Sequence, residues 1–246
     1  MQKKSSLQEA KIRYPIVFVL VLFIVTLLAA GVFSAIINTF INNIDVSGSI
    51  SRIIISVFII LLFYTKSNLK YSFRGFKLML PLLLFGLYKI PLCFYTKGGV
   101  SDDVNDILVA VICGFAPAIY EEVLFRGILI DGLSQKRVSN LKTLFISASV
   151  FSLVHLTNIV GKDLIDVVFQ VVFSFSCGLA FGGVYIKTKD ICSVITAHAI
   201  TDIVGYMLTI NKTDSYVVMI LLLVLLILES LYGVWLAKRA DKLYDE

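Results

Sequence analysis

Apolar residues run along this chain in long blocks separated by short polar breaks. Crossing a hydrocarbon core of about 30 Å takes about 20 residues of helix. On that rule the pattern predicts eight membrane segments, at 15–37, 49–65, 78–96, 107–133, 142–160, 164–186, 191–210 and 216–236. The second is short, and Arg52 near its start is expected to snorkel outward. The fourth is long and carries Pro117 near its middle, where a kink or break is expected. The expected fold class is therefore an all-α polytopic membrane protein, with residues 1–246 as a single membrane domain and no soluble unit of useful size between the blocks.

Composition agrees: 58% hydrophobic and 16% charged residues with a mean hydropathy of +0.91 exclude an ordinary soluble domain. The basic residues add an orientation. Lys3, Lys4, Lys11, Arg13, Lys66, Lys70, Arg74, Lys77, Lys136, Arg137, Lys142, Lys187, Lys189, Lys238, Arg239 and Lys242 fall on one side of the membrane. Arg52, Lys97, Lys162 and Lys212 fall on the other, beside the acidic run Asp102, Asp103 and Asp106. The positive-inside rule then puts both the N- and the C-terminus in the cytoplasm. This bias accounts for the net charge of +5, so no nucleic-acid partner is called for; the lipid bilayer is the expected environment. Basic residues before the first block superficially resemble a signal peptide, but the block is too long and no small-residue site closes it, so it reads as a retained helix. Cys93, Cys113, Cys177 and Cys192 lie singly, without metal-ligand spacing, and read as small packing residues.

Ionisable side chains inside such blocks are expensive and mark functional sites by default. The chain's two histidines, His155 and His198, both lie in apolar blocks. A third block reads Ala116-Pro-Ala-Ile-Tyr-Glu-Glu-Val-Leu-Phe-Arg-Gly127. On a helix, Glu122 and Arg126 are four apart and share a face, so they are expected to pair and to support the site structurally. Glu121 lies about 100° around the helix with no partner at that spacing. It is left either as a general base, which a desolvated carboxyl suits, or as a hydrogen-bonding contact to a neighbouring helix. In Phe151-Ser-Leu-Val-His155-Leu-Thr-Asn158, Asn158 is placed to orient the ring, and a packing role for His155 is the competing reading. His198 and Asp202 are again four apart, a spacing at which they share a ligand or the carboxylate fixes the His198 tautomer.

Depth allows these groups to meet. The fourth helix has its midpoint beside Glu121, and the seventh is centred between His198 and Asp202. His155 lies about five residues, roughly 7 Å, past the centre of its helix, an offset that a tilt or an uneven helix end absorbs. One site near mid-membrane is expected.

Glu121-Glu122-x-x-x-Arg126, Phe151-x-x-x-His155 and His198-x-x-x-Asp202, in that order on three membrane helices, resemble the three motifs of the CPBP family, the CAAX-protease and bacteriocin-processing (Abi) intramembrane proteases. The resemblance covers about 107–210, the expected catalytic core. It implies an intramembrane endopeptidase acting on a peptide or membrane-protein substrate. By that likeness Glu121 activates water beside His155, His198 and Asp202 stabilise the oxyanion, and Glu122 with Arg126 hold the site together. Asp202 stands where Asn is usual, and an Asp donates a hydrogen bond only when protonated; a protonated Asp202, or one that positions His198, fits the scheme. The implied setting is the plasma membrane, multi-pass, of a bacterium.

No cofactor is required by this reading, although Glu121, His155 and His198 with a water in the fourth position also describe a zinc site and a metalloprotease mechanism. The glutamate-dependent mechanism is favoured, and no His-Glu-x-x-His motif is present. Lys89 and Glu229, inside the third and eighth segments, are read outside the site, the first bonding carbonyls or snorkelling, the second paired with a basic residue such as Lys238. The small residues of Cys177-Gly-Leu-Ala-Phe-Gly-Gly183 suit close helix packing. Two other classes compete with the protease: a bacteriocin self-immunity or peptide-binding membrane protein acting without cleavage, and a proton-coupled transporter, for which the expected internal repeats are missing. Nothing in the sequence points to prenylated substrates.

Overall fold

A computed structural model describes residues 6–63, 75–211 and 215–241. Lys3, Lys4, Lys66, Lys70, Arg74, Lys212, Lys242 and both chain termini, used above for orientation, lie outside the described residues. Almost everything described is helical: α1 (Ser6–Arg13), α2 (Pro15–Ile41), α3 (Ile44–Phe63), α4 (Phe76–Gly86), α5 (Lys89–Tyr95), α6 (Val104–Glu122), α7 (Asp131–Gln135), α8 (Asn140–Leu153), α9 (Leu164–Thr188), α10 (Ile191–Met207) and α11 (Tyr216–Asp241). A π-helical segment, Val123–Ile130, joins α6 to α7, and a 3-10 segment, Val154–Val160, continues α8. Two residues of β1 (Gly99–Val100) pair antiparallel with β2 (Leu208–Thr209).

All eight expected segments are present as helices. Seven are long and apolar enough to cross a bilayer, by length and composition; the eighth, α10, has 17 residues and is the shortest. Pro15 opens α2, where a missing N–H costs nothing. Three expectations are corrected. The second helix begins at Ile44 rather than 49, because Asn43 caps it by accepting from the Val46 N–H, so Arg52 sits two turns inside it. Of the kink or break expected at Pro117, the break does not occur there: α6 runs on to Glu122, and the winding changes at Val123. Glu229 is not paired with Lys238; its Oε1 lies 2.7 Å from the Ser176 hydroxyl and 3.7 Å from Cys177 Sγ on α9. Lys89 does bond a carbonyl, Thr201 O, at 3.1 Å.

The apolar core falls in two clusters that meet at the π-helical segment. One packs α2 and α3 against Tyr120, Leu124, Phe125 and Ile128; the other packs Ile130 and Leu144 against α9, α10 and α11. Lys136 Nζ donates to the Arg13 carbonyl, Lys187 Nζ to the Arg239 carbonyl, and Lys189 lies 3.7 Å from Asp131. The basic ends of α1, α7, α9 and α11 are thus gathered at one end of the bundle, as the charge pattern predicts.

Small residues set the helix spacing. At Gly183 and Gly233, where α9 crosses α11, a methyl on either would overlap the other helix's backbone. A methyl on Gly114 of α6 would stand 2.8 Å from the Ile203 nitrogen and 3.2 Å from the Ala199 carbonyl of α10. Gly183→Val and Gly233→Val are each expected to destabilise by about 1–3 kcal/mol through overpacking, read as a lower Tm in detergent micelles. Gly31→Ala, where nothing lies within 4 Å of the new methyl, should leave Tm in place.

Candidate active site

The close α6–α10 crossing at Gly114 brings the two halves of the site together. Glu121 and Glu122 end α6; their side chains diverge by about 100° as consecutive helical positions must. Glu122 turns into the protein and is fully buried with Arg126. Its Oε2 lies 3.0 Å from Arg126 Nε, and its Oε1 lies 2.8 Å from His198 Nδ1. The expected four-apart pair is present, and it is half of a longer chain: guanidinium, carboxylate, imidazole. The Arg126 guanidinium also lies over the Phe151 ring, 4.4 Å from its centroid, and 6.0 Å from that of Phe181. Such rings attract a cation through their quadrupoles.

Glu121 turns the other way, with 21% of its side chain exposed, into an open cavity of about 280 Å³. His155, His198 and Asp202 line that cavity too, with Gln170, Phe181 and Tyr206 among others. His198 Nε2 faces it, 3.4 Å from Asp202 Oδ2 and 3.9 Å from Glu121 Oε2. His198 therefore stands among three carboxylates, with Phe181 packed beside its ring at a centroid distance of 5.5 Å. The His198–Asp202 contact read from spacing is present.

Backbone irregularity surrounds these residues. The π-helical winding starts directly after Glu122, and π-bulges often mark functional sites. Ser147 of α8 donates to the Phe125 carbonyl inside that segment at 3.0 Å, satisfying a backbone group in a buried stretch. Tyr120, next to Glu121, hydrogen-bonds Thr26 of α2 through its hydroxyl at 2.6 Å. On the far wall α8 tightens into its 3-10 segment one residue before His155.

His155 Nδ1 lies 2.9 Å from the Phe151 carbonyl. A carbonyl only accepts, so Nδ1 carries a proton, and in the neutral ring Nε2 is then the nitrogen with the lone pair. This corrects the role expected of Asn158, which bonds Gln170 Oε1 at 2.9 Å instead; the ring is steadied by its own helix. The direct neighbour of Glu121 within 4 Å, among the described residues, is His198 rather than His155. Sequence reasoning also passed over Gln170 and Tyr206. Gln170 had a signal, a lone amide in an apolar run; Tyr206, near a helix end, had none.

The candidate zinc ligands Glu121, His155 and His198 share the cavity, but among the described residues no group of three His, Cys, Asp or Glu side chains is arranged to hold a metal ion. Nδ1 of His198 is engaged by Glu122 and that of His155 by a carbonyl, contacts that also hold the ring of a metal-ligating histidine and leave its Nε2 available.

The fold and site define a polytopic helical membrane protein with an open, carboxylate-lined cavity among its helices. Residues 103–204 match the family model described as type II CAAX prenyl endopeptidase Rce1-like, which supports assignment of this chain to the CPBP family of CAAX proteases. The match runs from the start of α6 into α10 and so contains Glu121, Glu122, Arg126, His155, His198 and Asp202, though not Tyr206. No curated protein and no solved structure matches the chain. The family assignment indicates a protease and supports endopeptidase activity within the membrane.

The two neighbouring glutamates should respond differently to removal of charge. Glu122→Gln breaks a fully buried ion pair and is expected to cost about 3–5 kcal/mol, seen as a large fall in Tm in micelles. Glu121→Gln, facing a cavity, should shift Tm far less. Equal shifts would contradict this division.

Proposed function

We propose that this protein is a glutamate-dependent intramembrane endopeptidase of the bacterial plasma membrane that hydrolyses a peptide bond in a peptide or membrane-protein substrate. The observation that carries the reading is the division of labour between adjacent glutamates. Glu122 is sealed and engaged on both oxygens, while Glu121 opens on a cavity beside two imidazoles.

In this scheme Glu121 takes a proton from a water in the cavity as that water attacks the scissile carbonyl carbon. His155, through its Nε2 lone pair, accepts a hydrogen bond from the water's other O–H and fixes its direction. The carbonyl oxygen becomes an oxyanion, the C–N bond breaks, and Glu121 returns its proton to the leaving nitrogen. His198 stabilises the oxyanion through Nε2. Since its Nδ1 faces a carboxylate and must donate there, Nε2 donates only if the ring is an imidazolium. Glu122, Asp202 and Glu121 supply the negative surroundings that favour that cation. Asp202 holds the Nε2 proton in the resting site and cedes it to the oxyanion. Asp202 thus positions His198, and this role does not need the amide more usual at its place.

Glu121→Gln keeps the shape and removes the base; proteolysis of candidate substrates in membranes should fall by at least about 10²-fold. His155→Ala should lower it too. A cellular phenotype that survives both substitutions sinks the protease reading in favour of a protein that binds a peptide without cutting it. Chelator treatment of the purified protein should leave activity unchanged; loss restored by zinc would instead make Glu121, His155 and His198 ligands.

A further inference from the structure

Arg52 is the one charged side chain of α3 deep in a candidate span: eight residues past Ile44, it lies about 12 Å along the helix. An ionisable group at such a depth calls for a named partner. Among the described residues no carboxylate lies within ion-pair distance of its guanidinium. Instead it lines an open cavity of about 290 Å³ between α2, α3, α6 and α10, close to the ~300 Å³ at which small-ligand pockets begin. The cavity exists because its walls are small: Ala30, Gly31, Ser34, Gly48 and Ser49 face it. Gly48 in particular leaves room for both Ser34 Oγ and Arg52 NH1, which would stand 3.6 and 3.9 Å from a methyl at that position. A planar fork of donors flanked by hydroxyls is suited to a carboxylate.

Tyr206 connects this cavity to chemistry. It lines both the Arg52 cavity and the cavity that holds Glu121 and His198, with Arg52 and Asp202 both within electrostatic reach of its phenol. A ligand extending past Tyr206 occupies both. We propose that Arg52 anchors a carboxylate of the bound peptide, its C-terminus or an acidic side chain, while the scissile bond lies over Glu121. Arg52 is then a specificity-determining residue. The inference rests on the protease reading for the phrase "scissile bond" but not for the anion site itself.

The test uses full-length Glu121→Gln protein, so that turnover does not blur binding, in nanodiscs of neutral phosphatidylcholine. The probes are three fluorescent hexapeptide pools: without acidic residues and with a free C-terminus, the same with a C-terminal amide, and amidated with one Asp. Anisotropy should show at least one carboxylate pool binding about tenfold or more tighter than the neutral amide pool. Adding Arg52→Gln should abolish that preference, and Arg52→Lys should keep part of it at an unchanged Tm. A preference that survives Arg52→Gln, or none in the parent, overturns the proposal. So does a preference lost when phosphatidylglycerol is added, which would make the ligand a lipid headgroup. If the preference holds while wild-type protein cleaves none of the peptides it binds, the anion site stands and the protease reading falls.

Discussion

Everything at the centre of this protein is organised around a guanidinium that water cannot reach. Arg126 is fully buried, and a buried cation with no counter-charge is too costly to keep. Glu122 answers it on one oxygen and uses the other to hold His198, so one carboxylate links α6, the π-helical segment and α10. The ring of Phe151 beneath the guanidinium belongs to α8, whose 3-10 continuation carries His155 four residues on. Neutralising a charge and assembling a site are here one act. The electrostatic demand of Arg126 dictates where the three family motifs stand relative to one another.

The helix distortions stand beside the same residues. The wider winding of Val123–Ile130 begins directly after Glu122, and the tighter winding of Val154–Val160 begins one residue before His155. Such backbone is tolerated at membrane depth only when buried in protein or facing water. Ser147 supplies one of the missing partners to the π segment, and the 3-10 segment presents His155 to the cavity.

Much of this was legible in the chain. Block length gave the helices, and lysine and arginine placement is matched at the bundle end where Lys136, Lys187 and Lys189 make their contacts. Spacings of four gave the Glu122–Arg126 and His198–Asp202 pairs, because i and i+4 share a face whatever the tertiary context. What spacing does not encode is a contact between helices. Hence Glu122 to His198, 76 residues away, and Asn158 to Gln170 across a turn were out of reach. The start of α3 was misplaced because Asp45, Ser47 and Ser49 make a polar beginning that hydropathy discounts, and that set Arg52 near the start of the helix rather than two turns inside it. Pro117 misled in the opposite direction: a missing N–H is a local fact, whereas the change of winding at Val123 depends on what the next helices need.

The short helix α10 is fastened at both ends. At its start Asp190 accepts hydrogen bonds from the Ser193 amide and from the Gly75 backbone ahead of α4; at its finish β2 pairs with β1, after α5. A rod pinned at each end cannot slide along its axis, so His198 and Asp202 keep a fixed height in the membrane. On the protease reading, a chain that enters the open cavity meets both groups at that height. The parts of the machine are unequal: α10 is the anvil, and whatever moves is around it.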